Sequence, residues 1–170
     1  KLVQKTKLSN AEREDFEEFL RLLHFYCKEN GARLYNYDIL NTHAHLMIST
    51  HDGFSVDKVM HDFCSQYAKQ SNIRKKRSGH FWSHRYRSYV IHNDLYGIAC
   101  LRYQHRNALS AGMVQTPEEW PWSGYRFYAY GEQNDYLTPH PSYLGLSEMD
   151  DKRILFYRRR LAGFRGEPLC

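Results

Sequence analysis

The chain has no long hydrophobic run. No segment approaches the roughly 20 apolar residues that cross a bilayer, and no apolar stretch of signal-peptide type opens it. It therefore reads as a soluble, cytoplasmic protein with no membrane partner. Cysteine is scarce: Cys27, Cys64, Cys100 and Cys170 stand far apart, without the close pairs of a zinc knuckle or the pattern of a disulfide framework. They read as reduced, mostly buried thiols. There is no internal repeat, no low-complexity linker and no Gly-rich loop of the kind that cradles phosphates. At 170 residues the chain is long enough to bury one core and too short for a large barrel enzyme.

What is present is aromatic and basic. Tyr, Phe and Trp make up 15% of the chain, with 14 tyrosines, and the formal net charge is +5. The charge is uneven: "IRKKRSGHFWSHRYR" (73–87) sets Arg74, Lys75, Lys76, Arg77, Arg85 and Arg87 among Phe81, Trp82 and Tyr86. A polyanion partner follows from that clustering. Aromatic faces stack on unpaired bases while arginines hold the backbone, so the mixture suits single-stranded nucleic acid. Phe81 and Trp82 are expected either to stack on a base or to wedge the loop against the core.

The spacing of apolar residues predicts the elements. "LSNAEREDFEEFLRLLHFYCKENG" (8–31) reads as a helix capped by Asn10, with Phe16, Leu20, Leu23 and Cys27 on one face and a stop at Gly31. "ARLYNYDIL" and "HAHLMIST" alternate like neighbouring strands. Residues 55–76 form a second helix that buries Val56, Val59, Met60, Phe63 and Tyr67. "RSYVIHN" (87–93) reads as a strand, Asp94 caps a third helix that ends near Gly112, 116–131 is an aromatic, turn-rich connection, and 148–164 is a terminal amphipathic helix. With one strand before the first helix this order becomes β-α-β-β-α-β, the ferredoxin-like plan. "KLVQ" is too short to supply that strand, and the chain opens at Lys1 rather than Met, so the first strand is expected to be missing from it.

Chemistry concentrates in "NTHAHLMIST" (41–50). In an extended segment His43 and His45 share a face, about 6 to 7 Å apart. By itself an H-x-H pair is as often two strand histidines as a metal site. An amidohydrolase barrel needs about 250 residues, and a histidine-triad hydrolase needs histidine where Met47 stands. The remaining metal-site reading needs a partner elsewhere, and "LRYQHRNALSAGMV" (101–114) offers one: on a helix Tyr103 and Asn107 lie on one face, about 6 Å apart along the axis. A phenol beside a two-histidine metal site can attack a phosphodiester and become a covalent phosphotyrosine. Taken alone, Tyr103 reads more readily as a core tyrosine. His105 points away from Tyr103 on the helix and is not read as its base.

In order, "NTHAHLMIS", "GHFWSHRYRSYVIHND", "LRYQHRNALSAGMV" and "EEWPWSGYRFYAYG" resemble the REP-associated tyrosine transposases, within the single-tyrosine HUH transposases. The resemblance covers roughly residues 10–165. It implies an α+β, ferredoxin-like HUH nuclease fold, an antiparallel sheet packed by helices, in residues 1–131, with a helical and aromatic C-terminal extension in 132–170. It implies Mg²⁺ or Mn²⁺ as cofactor and single-stranded DNA bearing hairpins, or palindromic repeats, as partner. Cleavage there leaves a 5′-phosphotyrosine and a free 3′-OH. Carried over, His43 and His45 are metal ligands, Tyr103 is the nucleophile, and Asn107 falls where related transposases place an amide-type third ligand. Proteins of this kind act as monomers or homodimers. The chain departs from the family in lacking an initial strand like "YHVTSRG", in Thr42 where Asn commonly precedes the first histidine, and in "NALSAG" for "NPVRAG". A hairpin-binding protein that no longer cuts is the alternative.

Overall fold

In the computed structural model, residues 9–51 and 53–162 are described. Helix α1 (Asn10–Glu29) leads to strand β1 (Ala32–Ile39), strand β2 (Ala44–Thr50) and helix α2 (Val56–Arg74). Then come α3 (Asp94–Ser110), a 3₁₀ turn (Pro117–Glu119), α4 (Tyr125–Tyr130), α5 (Pro141–Leu144) and α6 (Asp150–Ala162). The protein is α+β, with a two-stranded antiparallel sheet among the described residues packed by helices, consistent with an HUH-like fold. Among the described residues no helix is long and apolar enough to cross a membrane.

Two compact units divide the chain. One takes residues 9–34 and 48–88. There α1 and α2 pack through Phe19, whose ring lies edge-on to Phe63 and Tyr67 at 4.8 and 5.2 Å between centroids. The predicted apolar faces are the buried ones: Phe16, Leu20, Leu23 and Cys27 on α1, and Val59, Met60, Phe63 and Tyr67 on α2, with Val56 half-buried. Asn10 is not the cap of α1. Ser9 is, its hydroxyl accepting from Glu12 N–H while the Glu12 carboxylate accepts from Ser9 N–H, a reciprocal pair that Asn10, one residue inside the helix, does not make.

The other unit takes residues 35–47 and those from 89 on. Its core joins Tyr35, Met47, Ile98, Leu101, Tyr125, Tyr128, Tyr143 and Tyr157, among others. Helix α3 is capped by Asn93, not Asp94: Asn93 Oδ1 accepts from Tyr96 N–H at 2.9 Å, and Asp94 instead accepts from the Ser142 hydroxyl at 2.8 Å. At its other end Gly112 takes φ +68°, and the N–H groups of Gly112 and Met113 turn back to Leu109 and Ala108. This left-handed glycine closure ends the helix without a proline.

Residues 87–93 are not a strand. Tyr89 and Val90 are 62% and 70% exposed, and only Ile91 of the segment packs against the core. A strand exists by its ladder, and no described residue supplies 87–93 with a partner, so its β-favouring composition has nothing to pair with. Cys27, Cys64 and Cys100 are in no disulfide, the first and last buried. Cys170 lies outside the described residues.

Strand β1 is buried along Leu34–Ile39 although Asn36 and Asp38 alternate within it. Asn36 is matched rather than solvated. Asn36 Nδ2 donates to Gln104 Oε1 at 2.7 Å, and Asn36 Oδ1 lies 2.9 Å from His105 Nε2. With the amide N–H spent on Gln104, Asn36 Oδ1 must accept, which puts the His105 proton on Nε2 and leaves Nδ1 to accept from the Tyr157 hydroxyl at 2.7 Å. Burial pushes the His105 imidazole down to about 3, so it stays neutral.

Gly124 is the residue that makes room for this network. A Cβ there would stand 2.0 Å from Asn36 Oδ1 and 2.9 Å from Leu137 Cδ1. Because His105 fixes that oxygen, Gly124→Ala is expected to destabilise by about 1 to 3 kcal/mol, lowering the melting temperature by roughly 2 to 12 °C. Thermal melts of the two proteins check this, and an unchanged midpoint would mean that Asn36 swings aside without cost.

Candidate active site

The β1–β2 connection is short, and Leu40 N–H donates to His43 C=O at 2.8 Å, which closes it. His43 stands just before β2 and is exposed, while His45 sits in β2 and is half-buried. Their rings meet edge to face at 5.1 Å between centroids. On the other side the His45 ring meets Tyr103 of α3 in the same manner at 5.6 Å. Thus H-x-H and the tyrosine helix converge within one compact unit, 58 positions after His45 in the sequence.

Local contacts prepare the two imidazoles. Thr42 Oγ1 lies 3.0 Å from His43 Nδ1, which occupies that nitrogen and leaves Nε2 for another ligand. Burial, and then the neighbouring His43, hold His45 below the ordinary histidine value, so at neutral pH it keeps a free lone pair.

Asn107, one turn beyond Tyr103, turns its amide toward Asp38 of β1. Asp38 is 1% exposed, and burial raises its carboxyl to about 7, with Asn107 acting in the opposite sense. Asp38 Oδ2 and Asn107 Nδ2 are both buried without a hydrogen-bond partner. The two imidazoles are donor types that a divalent ion accepts. Among the described residues no three His, Cys, Asp or Glu side chains converge. The sequence reading missed Asp38. Its signal was there, a carboxylate two positions from Asn36 in an apolar strand that leads directly to the H-x-H.

Comparison with known families decides the identity of this arrangement. Residues 2–107 match the profile described as transposase IS200-like, a span that runs from before α1 through Tyr103 to Asn107. The chain belongs to the IS200-like transposases. No curated protein and no solved structure matches it. As a transposase of this family it acts on DNA.

The basic loop of the transposase lies in the other unit. Arg74 Nη2 and Lys75 Nζ each approach a different carboxylate oxygen of Asp15 at 2.5 Å, and the Arg77 guanidinium lies 5.9 Å above the Phe81 ring. Lys76, at φ 48°, Arg85 and Arg87 are exposed. Trp82 is anchored: its indole N–H donates to Cys64 C=O at 2.9 Å, and its ring lies 4.8 Å from Phe81 and 5.8 Å from Tyr67. It is nonetheless 38% exposed. Tyr86 donates its hydroxyl to the Asp57 carboxylate.

Proposed function

We propose that this transposase cuts and rejoins single-stranded DNA beside hairpin, palindromic-repeat structures, in the manner of the REP-associated members, with Tyr103 as nucleophile. One observation carries the reading: the Tyr103 ring rests against His45, which rests against His43. In the cleavage step Tyr103 Oη forms a bond to the phosphorus and the P–O3′ bond breaks. The phenolic proton is lost, the departing 3′ oxygen gains one, and the 5′ end stays on the protein as a tyrosyl phosphodiester. Reversal by a 3′-OH rejoins the strand. The energy of the link is kept in the covalent intermediate, so no nucleotide triphosphate is needed, in keeping with a sequence without a phosphate-cradling loop.

His43, His45 and Asn107 are the residues that would hold Mg²⁺ or Mn²⁺. Such an ion, when bound, polarises the phosphate and stabilises the charge that builds on its oxygens. The protein's own part is positional. β2 holds His45 against the tyrosine ring, and Thr42 orients His43.

The test is a denaturing gel. Incubated with a hairpin-bearing single strand and Mn²⁺, the protein should yield a protein–DNA adduct that survives denaturation. Binding without any adduct would leave a hairpin-binding protein.

The basic loop supplies affinity in this reading. Charge neutralisation sets the salt dependence, so Arg85→Ala combined with Arg87→Ala should weaken binding to all sequences alike. It should also flatten the slope of log affinity against log salt by about 0.7 per lost contact on single strands. Lys75 and Arg74 already serve Asp15, so their removal is expected to disturb the α1–α2 unit as well. Trp82→Ala should lower the melting temperature through its lost hydrogen bond and ring contacts, and cost on the order of 1 to 3 kcal/mol of binding if its exposed face stacks on a base. Hairpin affinity at three salt concentrations, with a melt on each variant, separates the two roles.

A further inference from the structure

We infer that Asp38 positions the Asn107 amide, drawing its nitrogen toward the buried carboxylate so that the carbonyl oxygen faces the H-x-H ligand site. The inference rests on the metal-site reading above and assigns a residue that reading does not use.

Three observations support it. Asp38 is 1% exposed and faces the Asn107 side chain, and each presents a buried atom, Oδ2 and Nδ2, that lacks a partner. One is an unpaired acceptor and the other an unpaired donor, on a strand and a helix of the same unit. An amide has nitrogen and oxygen on opposite branches, so turning Nδ2 to Asp38 sends Oδ1 the other way. Second, the strand under Asp38 is fixed. Asp38 bridges to Ser123, Ile39 N–H donates to Trp122 C=O at 2.9 Å, and Gly124 N–H donates to Tyr37 C=O at 2.9 Å. A carboxylate on a pinned strand is a rigid reference for a side chain on a neighbouring helix. Third, the same strand and helix already make a contact of this type one step away, where Asn36 and Gln104 pair at 2.7 Å. Asp38 does not join the two histidines as a third acidic or imidazole donor among the described residues, so a direct ligand role is not what the placement offers.

Acceptors that orient a ligand are worth about 10- to 100-fold in metal affinity. The experiment measures Mn²⁺ affinity by titration calorimetry on the intact chain, with a thermal melt on every variant. Asp38→Leu, close in volume and unable to accept a hydrogen bond, should weaken Mn²⁺ binding about 10- to 100-fold. Asp38→Asn, whose own carbonyl oxygen can accept from Asn107, should stay within about three-fold of the wild type. In an Asn107→Ala background Asp38→Leu should have no further effect, because Asp38 acts only through that amide.

Unchanged affinity in folded Asp38→Leu overturns the inference, as does a loss in Asp38→Asn as large as that in Asp38→Leu, which would make the carboxylate itself a ligand. A wild type that binds no Mn²⁺ overturns the metal-site reading and this inference together. If Asp38→Leu does not fold, the side-chain amide of Asn107 in the wild type decides. Its resonance, assigned by its loss in Asn107→Ala, should show slow proton exchange, and a rapidly exchanging amide overturns the pairing.

Discussion

Tyr103→Phe should bring the covalent protein–DNA adduct below detection while leaving hairpin affinity within a few-fold of the wild type. The substitution removes one hydroxyl and keeps the ring that meets His45 at 5.6 Å, so the packing of β2 against α3 survives. Binding is governed by phosphate and base contacts, to which a single half-buried phenol adds little. Chemistry is governed by the atom that attacks, and no other atom of the side chain can replace Oη. A denaturing gel for the adduct and a native gel for binding, run on the same preparation, read the two separately. An undiminished adduct would move the nucleophile to another tyrosine. Tyr96 is the nearest on the same helix, seven positions earlier, where it packs half-buried against the core.

His43→Ala and His45→Ala should each abolish cleavage, and each should weaken Mn²⁺ binding by more than about 100-fold, since either leaves too few protein donors to hold a hard ion against water. Their side effects should differ. His43 is exposed at the end of a turn, so its loss should leave the melting temperature where it was. His45 is half-buried between His43 and Tyr103, so its loss should also loosen the tyrosine ring and lower the melt slightly. Calorimetry with Mn²⁺ and a melt on each variant test both statements. Unchanged affinity in both variants would reduce the pair to ordinary strand histidines.

The residues that the sequence made legible are those whose roles are written in short-range spacing. The α1 and α2 faces follow a helical period, and burial of Leu23 and Val59 to 0% exposure is what that period demands. The convergence of His43, His45 and Tyr103 was legible because alternation in a strand and the i, i+4 geometry of a helix constrain the chemistry on each element. What was illegible depends on partners remote in the chain. The segment 87–93 has the composition of a strand and lacks a ladder, a fact that local propensity cannot contain. Asn36 and Asp38 look like the solvent side of an alternating strand, and only the arrival of Gln104, His105 and Asn107 makes that face an interior one. Arg74 and Lys75 read as free cations until α2 brings them beside Asp15, 59 positions away in the case of Arg74.

Tyr157, beyond the end of the family match, donates its hydroxyl hydrogen to His105 Nδ1, 52 positions earlier. A ribosome adding roughly 5 to 20 residues per second needs about 3 to 10 s to travel from one to the other. Through that interval the nascent protein holds Tyr103 and the H-x-H but not the hydroxyl hydrogen that His105 Nδ1 accepts. A transcript cut short before Tyr157 would therefore encode every residue of the proposed catalytic set and still leave Nδ1 of the buried imidazole without the hydroxyl it accepts from.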